Sequence, residues 1–457
     1  MGILTGLMKM AVRGKRLLKG DSAQTRYTRY LEQIQFKTPE ELKALQAVSL
    51  CELMKHAVAN IPYYKSLADH LILTPESAFE DIRKFPILSK HDMAGNPSEF
   101  MDSGTEILKR YHTGGTTGMH FDVYSDKYFT DHAVDEYFNS KIGIYPGMSR
   151  LIVNLVGQGS LLNKSSDNNI SINKLTGVYT VDHRFLNEEK LKIATQILEK
   201  YKPRIIWGNT HGVYTIAKYL LDNKVNITYP EVVLCGGDTL LDRYKATIQT
   251  AFNQKLFDRY GAAESGNTAN QCSLRKGYHY SPVTHFIEIL DENDEPVKDG
   301  ESGSIVITTL TKRAMPMIRY RLGDMVVKSS QLCECGSNFP VIGAISGREK
   351  EGIRSPKGTY ISTAPMEEIL SKSGKMSEYQ AVHYGNSDIL IKVVCINERF
   401  TVNDEEEIRK DIHDCLDCSM NISFKYVDEI KPLPNGKMIH IISSDRLKEL
   451  EGYDENL

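Results

Sequence analysis

Residues 232–238 read Val-Val-Leu-Cys-Gly-Gly-Asp, a short apolar run that ends in two glycines and an aspartate. Two similar apolar runs precede it, at residues 151–156 and 204–207, and a glycine follows each of them. Helical patterns lie between the runs. Because strand, glycine turn and helix in alternation are typical of a doubly wound α/β sheet, we expect these runs to be strands whose carboxyl ends share one ligand-binding edge.

The pattern changes further along the chain. Runs at 285–290 and 304–308 alternate apolar and polar residues around turn signals, which predicts antiparallel β-structure. Residues 347–352 are polar and flanked by glycine, which indicates a hinge, and the remaining chain suffices for a small α+β domain. We therefore predict an α/β protein with a large domain of doubly wound and antiparallel sheets, residues 1–348, and a small mobile α+β domain, residues 349–457.

Individual elements can also be predicted. Thr38 and Glu41 have the spacing of a capping box with Pro39 at the first helical position, so a helix should run towards Ala59. Its buried stripe should include Leu42, Leu45, Leu53 and Ala57. In the small domain, we predict strands near 379–383, 389–394 and 422–427 and a helix near 404–416.

The composition indicates a soluble globular protein. The chain has 457 residues, of which 41% are hydrophobic and 25% charged, enough for two or three cores. A net charge of -3, without a basic run that includes aromatics, disfavours a nucleic-acid partner. No apolar run reaches about 18 residues, so no transmembrane segment is predicted. Eight cysteines in so long a chain predict reduced thiols and a cytoplasmic location.

Residues 1–20 combine basic and apolar side chains. They lack the continuous apolar region and the small-residue cleavage site of a secretory signal. Two interpretations stay open. We favour a helix packed on its own domain over a basic amphipathic helix that makes peripheral contact with a membrane surface.

A loop of small and hydroxyl-bearing residues follows Tyr111 and His112. Glycines permit positive φ and close backbone approach, so successive N–H groups can point at an anion while threonines add hydroxyl donors. The loop lacks the Lys-Ser/Thr end of the common P-loop pattern. It is either a phosphate-binding loop or an ordinary tight hairpin. Its residues are Thr113, Gly114, Gly115, Thr116, Thr117 and Gly118.

Five further segments follow the loop in a fixed order, and each supplies a group that carboxylate activation by ATP needs. Taken singly, each has a structural alternative, since Asp324 could close a turn, Glu264 could cap a helix and Lys437 could be a solvated turn lysine. Six segments in order argue against coincidence. The five are Gly236, Gly237 and Asp238; Tyr260, Gly261 and Glu264, just past a predicted strand at 255–257; Tyr320 to Asp324; Gly347 and Arg348; and Asn435, Gly436 and Lys437.

In this order the segments resemble the adenylate-forming ligase superfamily, and within it the branch of phenylacetate-CoA ligase and of CapK-type proteins found with capsular polysaccharide genes. The resemblance covers most of the chain, from about residue 80 to 445. It implies ATP-dependent activation of a small carboxylic acid as an acyl-adenylate. The acyl group would then pass to coenzyme A or, in the main variant, to an amine of a sugar or amino acid.

The resemblance also implies a role for each matched residue. The glycine/threonine loop would hold the β- and γ-phosphates, Glu264 would hold Mg²⁺, and Tyr260 would lie against the adenine. Asp324 would accept hydrogen bonds from both ribose hydroxyls, and Arg348 would reach nucleotide oxygens. Lys437 would stabilise charge at the α-phosphate once the small domain has rotated in.

The chain departs from the family pattern at two places. Many members have lysine after the last glycine of the phosphate loop, whereas this chain has Met119. The family often has paired acidic residues after the glycine-arginine of the hinge, whereas this chain has Lys350 and Glu351. The first departure bears on the affinity for pyrophosphate. The second bears on which residue is the pivot of the hinge.

Three cysteines and a histidine form a second candidate site. Cys272, His279, Cys333 and Cys335 supply three thiolates and an imidazole, a set suited to tetrahedral Zn²⁺. The Cys-x-Cys spacing is tighter than usual, but CapK-type relatives resemble this chain at the same places. The site would be structural because four protein ligands leave no position for a reacting water. His285 is a rival ligand.

Four residues in or after the run at 204–207 are candidates for the acid-binding pocket. They would face the cleft at the carboxyl edge of the sheet. They could equally be helix-packing aromatics and a capping amide. These residues are Trp207, Asn209, His211 and Tyr214.

The sequence disfavours two other functional classes. A nucleotide-binding scaffold in surface-polysaccharide assembly would have lost catalysis, and the near-complete residue set argues against it. A glycosyltransferase would need an acidic pair such as Asp-x-Asp at a strand end, and none stands out in the α/β portion.

Overall fold

The structure is a computed structural model. It describes residues 22–112, 122–126, 128–154, 170–182, 186–348, 352–357, 360–361, 363–385, 387–396, 400–416, 418–431 and 438–450. Several predicted features lie outside these residues. They are the N-terminal segment 1–20, the glycine/threonine loop 113–118 with Met119, the pair Lys350 and Glu351, and Lys437.

The described residues form α-helices, short 3-10 helices and strands, which are numbered here in chain order. The 3-10 helices span Pro62–His70, Ile82–Lys84 and Pro97–Phe100. The α-helices are α1 (Ala23–Ile34), α2 (Pro39–Asn60), α3 (Ala78–Asp81), α4 (Lys90–Ala94), α5 (Tyr128–Lys141), α6 (Glu188–Tyr201), α7 (Thr210–Asp222), α8 (Asp242–Phe252), α9 (Thr363–Ser371), α10 (Val402–Cys415) and α11 (Ser444–Leu450). The strands are β1 (Lys109–His112), β2 (Asp122–Ser125), β3 (Arg150–Asn154), β4 (Ile170–Asn173), β5 (Val178–Asp182), β6 (Ile205–Asn209), β7 (Val232–Gly236), β8 (Leu256–Ala262), β9 (Gly266–Gln271), β10 (Tyr278–His279), β11 (His285–Leu290), β12 (Ser302–Thr309), β13 (Tyr320–Val327), β14 (Val341–Ile342), β15 (Ile345–Arg348), β16 (Ile353–Arg354), β17 (Tyr360–Ile361), β18 (Met376–His383), β19 (Asp388–Cys395), β20 (Asn421–Tyr426) and β21 (Ile441–Ile442).

The largest sheet has nine strands in the order β14-β10-β9-β8-β7-β6-β3-β5-β4. The five central strands, β5, β3, β6, β7 and β8, run parallel, and antiparallel strands complete both edges. Helices α6, α7 and α8 alternate with the parallel strands along the chain. The predicted doubly wound α/β sheet is therefore confirmed, and the carboxyl ends of its parallel strands meet at one edge.

Both faces of this sheet are covered. Val233 and Cys235 of β7 belong to an apolar core that also contains residues of α6, α7 and α8. Val232 and Leu234 alternate with them and pack in a second cluster with Ile142, on the opposite face. Burial on both faces explains why β7 reads as a continuous apolar run, because a strand exposed on one face would alternate with polar residues.

A four-stranded antiparallel sheet, in the order β11-β12-β13-β15, follows the large sheet in the chain. This confirms the predicted antiparallel structure after residue 285. Further on, β20-β19-β18-β21 form another four-stranded sheet, with β18 antiparallel to β19 and parallel to β21. Helices α9 and α10 contribute to its core, which gives this part of the chain the predicted α+β character.

Helix α2 begins and ends as its sequence predicts. Thr38 accepts a hydrogen bond from the backbone N–H of Glu41, and the Glu41 side chain accepts one from the backbone of Thr38. Leu42, Leu53 and Ala57 are buried, whereas Leu45 is only partly buried. The capping box satisfies N–H groups that would otherwise lack partners at the first turn.

In the described part of the chain, no helix combines the length and the apolar character that crossing a bilayer requires.

Gly208 offers a direct test of the packing at the carboxyl edge of the sheet. It lies opposite Val153 in the β3/β6 pair, and a Cβ at Gly208 would lie 1.9 Å from the carbonyl oxygen of Val153. Because that oxygen belongs to the backbone, it cannot move without disturbing the sheet. We expect Gly208→Ala to lower the free energy of unfolding by roughly 3 kcal/mol, measured by thermal and urea denaturation.

The matched control is Gly95→Ala. Gly95 has a right-handed helical backbone, and a Cβ there would meet no atom within 4 Å. This control should leave the melting temperature nearly unchanged. Equal melting temperatures for the two variants and the wild type would contradict the close approach at Gly208.

Candidate functional site

Asp324 lies where the nine-stranded sheet meets the four-stranded sheet β11-β12-β13-β15. Its Oδ2 accepts a hydrogen bond of 2.6 Å from the hydroxyl of Tyr260, which belongs to β8 of the nine-stranded sheet. Its Oδ1 lies 3.4 Å from Nε of Arg348, and the two residues are cross-strand partners in the β13/β15 pair. Three residues that are distant in sequence and were predicted to contact the nucleotide therefore come together.

One local prediction about these residues is corrected by the structure. Tyr260 and Gly261 were expected just past a short strand, but β8 continues to Ala262 and includes both of them. Arg348 is the last residue of β15, and residues 349–351 of the predicted hinge lie outside the described residues. Strand pairing fixes the backbones of Tyr260 and Arg348, so their side chains start from defined positions on either side of Asp324.

Burial sets the protonation of Tyr260. Only 8% of its surface is exposed. Burial and then the neighbouring Asp324 carboxylate raise the pKa of the Tyr260 phenol well above its ordinary value. The phenol therefore stays protonated and donates to the carboxylate.

Glu264 follows β8 and is half-buried. The hydroxyl of Tyr320, the first residue of β13, lies 3.5 Å from Oε1 of Glu264. Burial and then the Glu264 carboxylate raise the pKa of Tyr320, so this hydroxyl also stays a donor. A carboxylate oriented in this way is the type of oxygen ligand that Mg²⁺ prefers.

Gly236 is the last residue of β7 and lies against β8. A Cβ at Gly236 would lie 2.8 Å from Cγ and 2.9 Å from the carbonyl oxygen of Arg259, so the strand needs glycine here. Gly237 has a φ of +89°, in the left-handed region that favours glycine. Among the described residues, the buried Oδ2 of Asp238 has no hydrogen-bond partner. Gly236 is therefore buried against Arg259, whereas Gly237 is exposed and offers backbone without a side chain at this edge.

Two of the acid-pocket candidates belong to β6. The ring of Trp207 lies under the guanidinium of Arg259, with 4.4 Å between the guanidinium carbon and the ring centroid. Asn209 is the N-cap of α7, where its side-chain oxygen accepts a hydrogen bond of 3.1 Å from the N–H of Gly212. Asn209 is therefore a helix-capping amide, which was the alternative interpretation of this residue.

The other two candidates lie on α7 and contact α8. The rings of Tyr214 and Tyr244 are 4.1 Å apart between centroids. Nδ1 of His211 lies 3.3 Å from the Tyr244 hydroxyl. Both candidates therefore pack on a tyrosine to which the sequence analysis assigned no role.

The four predicted zinc ligands come together at the edge of the large sheet. Cys272 follows β9, His279 lies in β10, and Cys333 and Cys335 precede β14. All four ligand atoms lie within 4.8 Å of one another. Two of the distances are 3.7 Å, between Sγ of Cys272 and Sγ of Cys333, and 3.5 Å, between Sγ of Cys335 and Nε2 of His279.

These distances fit a tetrahedral ion. With Zn–S of about 2.3 Å and Zn–N of about 2.0 Å, tetrahedral ligand atoms lie roughly 3.5–3.8 Å apart. Nδ1 of His279 lies 3.0 Å from the carbonyl oxygen of Phe339. Because that oxygen can only accept, Nδ1 carries the proton and Nε2 keeps its lone pair for a metal.

The alternative that His285 is a ligand is wrong. Its Nε2 lies 3.1 Å from the carbonyl oxygen of Ser265, and its Nδ1 lies 3.0 Å from the Thr284 hydroxyl. Burial lowers the pKa of His285 to about 4, so its ring is neutral and satisfied by these two partners.

Two polar residues, Tyr320 and Asp258, make contacts in the structure that were not predicted from the sequence. Tyr320 lies inside a recognised segment, but its contact with Glu264 depends on two different sheets. Asp258 is buried, accepts a 2.7 Å hydrogen bond from the Tyr278 hydroxyl, and has a pKa that burial raises to about 7. A carboxylate within an apolar run, as Asp258 follows Leu256 and Phe257, was the available signal.

Comparisons with known proteins agree with this architecture. Residues 353–444 match the family model of the CapK C-terminal domain. Protein CapK of Staphylococcus aureus is 22% identical over 440 residues, which cover 94% of this chain and 95% of that protein. The phenylacetate-coenzyme A ligase of Aromatoleum evansii is 25% identical over 415 residues, which cover 86% of this chain and 92% of that protein.

A solved structure shares the fold. The crystal structure of 2-hydroxyisobutyryl-CoA ligase in the postadenylation state, in complex with R3-HIB-AMP, matches with a TM-score of 0.71 at 16% identity. The match covers 92% of this chain and 94% of that one. Residues 353–444 therefore match a CapK C-terminal domain, and most of the chain is similar to CapK and to phenylacetate-coenzyme A ligases. The chain also shares the fold of a solved acyl-CoA ligase.

Proposed function

We propose that the protein is an enzyme that activates a small carboxylic acid with ATP and transfers the acyl group to coenzyme A. In the first step, a carboxylate oxygen bonds to the α-phosphorus, the bond to the β-phosphate breaks, and pyrophosphate leaves. In the second step, the thiol sulfur of coenzyme A bonds to the acyl carbon and AMP leaves. The observation that carries the proposal is the convergence of Tyr260, Asp324 and Arg348 at the junction of two sheets.

The ribose and base are proposed to bind at this junction. Each carboxylate oxygen of Asp324 has more than one lone pair, so Asp324 can accept from ribose hydroxyls while Tyr260 and Arg348 hold it in place. Arg348, 36% of whose side chain is exposed, can also donate to nucleotide oxygens. The exposed backbone of Gly237, beside the buried Gly236, would lie against the base.

The phosphates are proposed to extend past Glu264. Mg²⁺ bound to this carboxylate would neutralise phosphate charge, and the Tyr320 hydroxyl would orient the carboxylate. The glycine/threonine loop at 113–118 and Lys437 are assigned to the phosphates and to the α-phosphate by their motifs. We propose that Lys437 stabilises the charge that develops as the carboxylate attacks.

The acid is proposed to bind beyond the carboxyl ends of β6 and β7. Trp207 is the best placed of the four candidates to form a pocket wall, because Asn209 caps a helix and His211 and Tyr214 pack on Tyr244. Coenzyme A is proposed as the acceptor because relatives of this branch are named coenzyme A ligases. An amine acceptor, and a setting in surface-polysaccharide biosynthesis, rest on the CapK resemblance alone.

The proposed function is tested by acid-dependent exchange between ATP and pyrophosphate, with a panel of aryl, short aliphatic and amino acids. A productive acid should give exchange in the absence of coenzyme A, and addition of coenzyme A or an amine then identifies the acceptor. A protein that binds ATP but gives no exchange with any acid would be a scaffold, and the proposal would be rejected.

Lys437→Ala should reduce this exchange by roughly 100-fold or more, because a cation aimed at developing charge contributes mainly to the transition state. ATP binding, measured by calorimetry, should be largely retained. Lys431→Ala is the matched control, since Lys431 has an exposed side chain that pairs with Glu429. Full exchange activity in Lys437→Ala would refute the assignment of this lysine.

Asp324→Ala should weaken ATP binding through the loss of two charge-assisted hydrogen bonds, each contributing roughly 1.5–3 kcal/mol. Tyr260→Phe, which removes only one donor to Asp324, should weaken it less. Glu292→Ala, an exposed carboxylate between β11 and β12, is the control. Unchanged nucleotide affinity in Asp324→Ala, measured by calorimetry, would remove this residue from the ribose site.

We also propose a structural Zn²⁺ at Cys272, His279, Cys333 and Cys335. Purified protein should contain close to one zinc per chain by elemental analysis, and a strong chelator should lower its melting temperature. Cys272→Ala should lose the metal, whereas Cys418→Ala, at an exposed cysteine elsewhere, should keep it. A metal-free preparation that melts at the same temperature would contradict this site.

A further inference from the structure

Arg243, in the first turn of α8, connects the large sheet to the C-terminal sheet. Its guanidinium donates to the backbone oxygen of Ser377 at 3.2 Å and lies 3.4 Å from Oε2 of Glu378, both in β18. The guanidinium carbon lies 4.8 Å from the ring centroid of Tyr244 and 4.4 Å from that of Tyr379. One side chain therefore contacts its own helix and a strand of the C-terminal sheet.

Tyr244 makes a second connection, to His440, which directly precedes β21. The Tyr244 hydroxyl lies 2.8 Å from Nε2 of His440. Nδ1 of His440 lies 3.1 Å from the carbonyl oxygen of Tyr379, so Nδ1 carries the proton and Nε2 accepts from Tyr244. Nη2 of Arg243 lies 3.2 Å from Nδ1 and 3.3 Å from Nε2 of His440. We call Arg243, Tyr244, Glu378, Tyr379 and His440 the Arg243 cluster.

Three members of the Arg243 cluster are buried, and Arg243 and Glu378 are partly buried, with 17% and 20% of their side chains exposed. The exposed fractions are 2% for Tyr244, 1% for Tyr379 and 8% for His440. Burial and then Arg243 lower the pKa of His440 well below its ordinary value, which keeps its ring neutral. Polar groups that are both buried and paired are costly to separate, unlike an exposed ion pair. The contact therefore favours one arrangement of the two sheets.

The position of the cluster links this contact to the proposed chemistry. Helix α8 follows the Gly236–Asp238 segment, at the carboxyl edge where the nucleotide is proposed to bind. His440 comes three residues after Lys437 in the chain. The opposite side of Tyr244 contacts His211 and Tyr214. The Tyr244 side chain thus contacts both α7 and His440, which follows the lysine by three residues.

We propose that Arg243 and Tyr244 are positioning residues for the adenylation step. They hold the segment before β21 against the carboxyl edge of the large sheet, and so restrict where Lys437 can reach. The contact has to break before the C-terminal sheet can turn another surface to the site. This inference rests on the proposed function, because it assigns Lys437 to the first step.

Two variants distinguish a positioning role of Arg243 and Tyr244 from a role in side-chain packing alone. Tyr244→Phe keeps the ring packed against Tyr214 and removes only the hydroxyl that His440 accepts from. Arg243→Met keeps much of the side-chain length and removes the guanidinium. Lys245→Met is the matched control on the same helix, where 48% of the lysine side chain is exposed. Arg243→Lys, which keeps the charge but loses the planar fork, tests for partial rescue.

Three measurements are made on each purified full-length variant. The first is acid-dependent exchange between ATP and pyrophosphate, and the second is thioester formation from coenzyme A and the supplied acyl-adenylate of the best acid. The third is the radius of gyration of the free protein by small-angle X-ray scattering. We expect Tyr244→Phe and Arg243→Met to lower the exchange turnover at least tenfold, to leave thioester formation within twofold of wild type, and to increase the radius of gyration.

Other outcomes overturn the inference. Equal losses in both steps, with a lowered melting temperature, would show a purely structural role. Unchanged exchange and an unchanged radius of gyration would show that the cluster does not hold the two sheets together. If the wild type gives no exchange with any acid, the proposed function fails, and the radius of gyration of the variants still decides whether the cluster holds the arrangement.

Discussion

The hydrogen bond from the Tyr260 hydroxyl to Asp324 joins two sheets of different construction at the candidate site. Tyr260 comes from the mixed, nine-stranded sheet, whereas Asp324 and its cross-strand partner Arg348 come from an antiparallel sheet. A partly buried carboxylate needs donors, and here it finds one in each sheet. The position of the two sheets relative to each other is therefore coupled to the geometry of the site.

Strand β8 extends this coupling across the large sheet through three consecutive residues. Asp258 accepts from Tyr278, beside the predicted zinc ligand His279, while Arg259 lies over Trp207 and Tyr260 donates to Asp324. His279 lies in β10, and β14 follows Cys333 and Cys335 in the chain. Each of these two strands contains only two residues. Strands so short make few ladder hydrogen bonds, so a four-ligand metal site would fix an edge that pairing alone holds weakly.

The sequence predicted elements where the signal is local. The capping box of α2 depends on residues three apart, and the apolar runs of β3, β6 and β7 depend on burial of both faces of one sheet. It was less accurate where an element continues into polar residues, as in β8. Hydrogen bonds to a neighbouring strand stabilise such residues, and a single sequence does not show that neighbour.

By itself, the sequence determined the order of the motifs, the alternation of strands and helices, and the four side chains suited to zinc. These follow from residue chemistry and from periodicities within short windows. Only the tertiary structure decided that His285 is satisfied away from the cysteines, that Tyr320 orients Glu264, and that Tyr244 lies between His211 and His440. The physical reason is that each of these contacts joins elements far apart in the chain, so it depends on how the sheets and helices pack and on which polar groups that packing removes from water.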